Sequence, residues 1–188
     1  DMTLSLARLG LMGGAGETAG LEHIQTITGT SYQTGAIHFT DAKSSTYRKH
    51  LLLFNGGSSN GYNYLSLRFG NSGSYEAGDA YRYAAFDQQS NNSSSEKRDT
   101  HTALRIGAYV YQGENVACYI YALGDSTKRT FVTFTFAGVR ANQAGSRTQF
   151  GSGMWASTGA YNQIQILNDD YTNRGYHAYQ TSLYGIVD

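Results

Sequence analysis

The stretch FVTFTFA, residues 131–137, decides the fold class. Along it Val132, Phe134 and Phe136 share one side of the chain, and Thr133 and Thr135 share the other. A period of two marks a half-buried β-strand, because successive side chains leave a pleated backbone on opposite faces. The same period recurs in both directions. In YNYLSLRF (62–69), Leu65, Leu67 and Phe69 oppose Tyr62, Tyr64, Ser66 and Arg68. In NQIQIL (162–167), Ile164 and Ile166 oppose Gln163 and Gln165.

Working outward, alternation predicts strands over Glu22–Thr28, Ala36–Thr40, Arg48–Asn55, Tyr62–Phe69, Ala80–Asp87 and Thr102–Val110. It continues over Val116–Leu123, Thr130–Ala137, Arg147–Trp155, Tyr161–Leu167 and Ser182–Val187. Between them lie turn-forming runs such as NGGSSNG (55–61), GNSGS (70–74), LGDSTK (123–128) and ANQAGS (141–146). The wholly polar QQSNNSSSEKRD (88–99) reads as a surface loop, either mobile or making contacts. No stretch long enough for a stable helix carries a 3.6-residue apolar period. Many short strands with regular turn signals predict an all-β protein, an antiparallel β-sandwich with the jelly roll as its expected form.

Composition agrees. The 188 residues include 16 Tyr and 23 Gly, suiting pleated surfaces and tight turns, and no proline. A chain this long folds as one domain and buries roughly 70% of the surface it exposes when unfolded. Fourteen basic and 14 acidic residues cancel, which disfavours binding to nucleic acid or to an anionic membrane by bulk electrostatics. Cys118 is the only cysteine, so no intrachain disulfide forms; within NVACYIYAL it reads as a small buried hydrophobe.

The N-terminal LSLARLGLMGGAGETAG (4–20) stands apart from the strands. Its apolar run carries Arg8 inside it, has no basic region before it and is too short to span a bilayer, so a leader is not expected. It reads instead as a docking arm: Leu4, Leu6, Leu9, Leu11 and Met12 adhere to a partner, and the glycines after them form a tether. The expected organisation is an extended arm over residues 1–20 and a sandwich domain over 21–188.

Chemistry-bearing patterns are weak. His23, His38, His50, His101 and His177 do not cluster and read as surface or structural histidines. Asp169 and Asp170 lack the alternating oxygen ligands, glycine and closing glutamate of an EF-hand, and read as a solvated turn. GSGMW lacks the spacing of a nucleophile elbow, and GGAGETAG lacks the flanking strand and helix of a phosphate cradle. No metal, no cofactor and no catalytic residue is expected, nor can the sequence single out a carboxylate pair for glycoside hydrolysis. Aromatic residues beside polar turns, Trp155, Tyr171, Tyr176 and Tyr179, are the candidate receptor or subunit contacts.

The order of segments, LSLARLGLMG, IQTITGT, GAIHFTDAKSSTYRKHLLLFNG, YLSLRF, YEAGDAYRYAAF, YIYALGDSTKRTFVTF, YNQIQIL and a terminal SLYGI, resembles small virion proteins of tailed bacteriophages. Members of this group are labelled tail-fibre, head-fibre or decoration proteins. The resemblance runs from about residue 4 to 187 and implies a non-enzymatic jelly-roll sandwich displayed on the particle and self-associated. The leading expectation is a capsid decoration protein, made in the host cytoplasm, that binds the major capsid protein or another virion protein. A homotrimer is expected by analogy. The alternative is a tail-fibre or tail-tip module that binds a host receptor or surface glycan. Neither reading involves nucleic acid or membrane.

Overall fold

The computed structural model describes residues 20–30, 35–58, 64–89, 92–107, 112–139, 146–168 and 176–187, and its strands form two antiparallel sheets. The larger sheet has eight strands. Across it run β1 (Gly20–Gly29), β13 (Tyr176–Val187), β3 (Lys49–Ser58) and β9 (Gln112–Tyr121), then β10 (Arg129–Val139), β11 (Ser146–Thr158), β6 (Tyr81–Gln89) and β7 (Asn92–His101). The smaller sheet has five, with β2 (Ile37–Phe39), β12 (Gln163–Asn168), β4 (Leu65–Asn71) and β5 (Ser74–Tyr75) in order, and β8 (Leu104–Arg105) also paired to β4. The protein is an all-β sandwich, and no helix occurs among the described residues. Eight strands against five differ from the eight-stranded double Greek key of a jelly roll, so the described pairings define a β-sandwich and no narrower type.

FVTFTFA lies in β10 as its period requires: Val132, Phe134 and Phe136 are buried, and Thr133 and Thr135 are exposed. Phe134 sits in one cross-strand row with Cys118, Leu52 and Leu183, all on the inner face of the large sheet. The small sheet covers that row with Leu67, Phe69, Ile164 and Ile166. Each such side chain, fully withdrawn from water, contributes about 1.5–3 kcal/mol. Gly151 continues the row on β11. A Cβ there would come within 2.5 Å of the Ala84 carbonyl oxygen and 2.7 Å of Phe134 Cζ, so only glycine leaves Phe134 its place.

Two short features come from backbone chemistry. Ser72 and Gly73 both have positive φ, 51° and 81°, and they join Asn71 to its cross-strand partner Ser74. Positive φ at both central residues is the type I′ turn that suits the twist of a two-residue hairpin. The second feature corrects the expected loop at 88–99. Its residues Gln88 and Gln89 end β6, and Asn92 onward form β7, paired from Gln89↔Asn92 to Tyr81↔His101. An edge strand needs only the main-chain ladder of one neighbour, so a sequence without apolar residues can take the position. The strand expected at Thr102–Val110 is reduced to Leu104–Arg105, and Ala108–Val110 lie outside the described residues.

Candidate functional site

Leu4, Leu6, Leu9, Leu11 and Met12 of the expected arm lie outside the described residues, as do Asp169, Asp170 and Tyr171. The other three expected contact residues are in the interior, which corrects their reading as surface contacts. Trp155 is 5% exposed and lies against Tyr81, ring centroids 4.6 Å apart, with its indole N–H donated to Tyr161. Tyr176 and Tyr179 flank Phe54 at centroid distances of 5.5 and 6.3 Å. Large rings at the ends of strands fill the open ends of the sandwich, where apolar filling is worth more than display.

The exposed apolar side chains lie elsewhere. Seven large hydrophobic residues among those described are exposed: Leu21, Leu53, Phe86, Tyr119, Phe131, Phe150 and Val187. All but Val187 belong to rows on the outer face of the large sheet. One row reads Leu53, Ala117, Thr135, Phe150, Phe86 across five neighbouring strands. The next holds Leu51, Tyr119, Thr133, Ser152 and Ala84. The third begins at Leu21 and Ile186 on β1 and β13, and crosses Lys49, Tyr121, Phe131, Met154 and Arg82. Phe150 is 53% exposed, and its ring lies 5.3 Å from that of Phe86. From β3 to β6 these rows contain two cations, Lys49 and Arg82, and no carboxylate. Isolated exposed hydrophobics are ordinary, but a continuous charge-poor aromatic face is the composition of an interface core. The sequence carried a signal for it: in FVTFTFA, Phe131 has the parity of the outward threonines.

The inner face holds polar residues near the ends of β3, β6, β9, β11 and β13. Arg147 grips Asp87 with two donors: its Nε lies 2.8 Å from Oδ1, and Nη2 contacts Oδ2. Glu114 is buried beside its cross-strand neighbour Gly56, and burial pushes its carboxyl up to about 8. It is therefore uncharged at neutral pH. The buried Tyr176 hydroxyl is held well above its ordinary value, first by desolvation and then by Glu114. Glu114 Oε1 and Tyr176 Oη have no hydrogen-bond partner among the described residues. The histidines are dispersed. His50 is buried, its Nε2 2.8 Å from the Ala42 carbonyl oxygen, and desolvation lowers its pKa. His38 contacts Tyr75, and His23 contacts Thr26. No group of three or more potential metal-ligating His, Cys, Asp or Glu side chains occurs among the described residues.

Fold and surface together define an antiparallel β-sandwich with one broad aromatic, charge-poor sheet face. Comparison with protein-family models, with curated proteins and with solved structures found no match for the chain.

Proposed function

We propose that the protein is a non-enzymatic structural component of a tailed-phage virion surface, a capsid decoration protein that self-associates and binds the capsid shell. The observation that carries the association half is the outer face of the large sheet, where six of the seven exposed large hydrophobics among the described residues gather. Leaving that much apolar surface in water is unfavourable, and covering it supplies the driving force for assembly. The virion half is supported by the order of sequence segments from Leu4 to the terminal LYGI. The arm, Leu4 to Met12, is the proposed capsid-binding element.

The test is co-sedimentation of purified protein with assembled capsids, together with copy number per particle. Hundreds of copies, and binding lost on deletion of residues 1–16, support decoration. No binding to capsids overturns it. A handful of copies with binding to host cells favours the tail-fibre or tail-tip reading, for which the exposed rings of Tyr119 and Phe150 suit stacking on a receptor or glycan.

A further inference from the structure

We infer that the outer face of the large sheet is covered by the same face of a second copy of this chain, the two related by a two-fold axis that passes through Thr135. The inference deepens the self-association half of the reading above and does not depend on the virion half.

Three observations carry it. The first is the order of sizes along one row, Leu53, Ala117, Thr135, Phe150, Phe86. Reversing the row about Thr135 lays Phe150 over Ala117 of the other copy and Phe86 over Leu53. The most exposed ring thus meets the smallest side chain of the row, a steric match suited to sheet-on-sheet packing at about 10 Å. A two-fold interface must be self-complementary in this way.

The second is area. Reversal about β10 overlaps seven strands of the large sheet, and at about 4.8 Å apart and about ten residues of about 3.3 Å each they give a shared face of roughly 1,100 Å². A standard stable interface buries roughly 800 Å² per partner. The third is charge. No carboxylate stands among the three outer rows from β3 to β6, so no ion pair is needed to match the face to itself. The same axis brings Lys49 toward Arg82 of the other copy, in the row holding Phe131, at the rim of the contact.

Sedimentation equilibrium of the purified protein, without capsids, tests the inference. The expected result is an even-numbered assembly, a dimer in the simplest case, in place of the trimer expected from sequence. The double substitution Phe86→Glu, Phe150→Glu weakens dimerisation on the order of 100-fold or more, since charged groups replace central anchors. Ala117→Phe, which fills the recess under Phe150, weakens it too. Both variants keep the wild-type far-UV circular dichroism and a cooperative unfolding transition, because these positions lie outside the core. Thr135→Cys places two thiols about 10 Å apart across the contact, too far for a disulfide but within reach of a short bifunctional maleimide, which cross-links the copies. A monomer at high concentration, an odd-numbered assembly, or unchanged association of the double variant overturns the inference. A protein that dimerises as described yet ignores capsids overturns the virion reading alone.

Discussion

Trp155 donates its indole N–H to the Tyr161 hydroxyl across 2.7 Å, joining the end of β11 to the residue that leads into β12. The bond links the two sheets at one end of the sandwich, within an aromatic group that includes Tyr81 and Phe69. Tyr161→Phe keeps the ring and leaves a buried N–H without its acceptor, and is expected to cost about 1–3 kcal/mol. Trp155→Ala removes the ring as well and costs about 3–5 kcal/mol. Urea unfolding of the two variants checks both values, and the order Trp155→Ala worse than Tyr161→Phe is the required result.

Asp87 and Arg147 form the ion pair on the inner face, with side-chain exposures of 3% and 11%. Truncating one partner leaves the other charge largely withdrawn from water and without its counter-ion. Asp87→Ala is expected to destabilise by about 3–5 kcal/mol. The double variant Asp87→Leu, Arg147→Met removes both charges and recovers most of that loss. Thermal midpoints of the wild type, the single variant and the double variant give the comparison; equal loss in both variants contradicts it.

The strands were legible because one face of each is wet and the other dry. In β10 and β12 that contrast writes itself into the sequence as Phe/Thr and Ile/Gln alternation. β7 was not legible, since its place at the edge is fixed by main-chain bonds to β6 and leaves no apolar pattern. The exposed apolar surface is not legible for a related reason. Aromatic residues near polar turns look displayed in a sequence, yet Trp155, Tyr176 and Tyr179 plug the ends of the sandwich. The residues that are displayed, Phe86 and Phe150, meet only through the β11–β6 register, which joins positions far apart in the chain. Single-strand periodicity does not contain that pairing.

Cys118 occupies the core row between Leu52 and Phe134, as its apolar surroundings implied. Desolvation pushes its thiol far above the ordinary range, so almost no thiolate forms at neutral pH. Alkylation by iodoacetamide is expected to be slow in the folded protein and fast in denaturant. The native rate should track unfolding rather than pH. Rapid labelling of folded protein at pH 8 would contradict the buried placement.

Glu114 gives the protein a pH dependence of defined sign. Its folded-state pKa is about 8 against 4.5 in the open chain, because burial disfavours the carboxylate. Between those values the folded protein holds a proton that the unfolded chain has released. Stability therefore falls as pH rises through this window, by up to about 1.4 kcal/mol per pH unit, and levels off above the folded pKa. The stabilising contribution is complete only below the unfolded value. Glu114→Gln keeps the shape and removes the proton, so its stability should lack this slope and exceed that of the wild type at pH 8. Urea midpoints from pH 5 to 9 for both proteins measure the difference. Parallel profiles would mean that water or a cation reaches the Glu114 carboxyl and that it ionises in the ordinary range. Convergence toward pH 5, with separation growing toward pH 8, means that the carboxyl stays dry and protonated beside Tyr176.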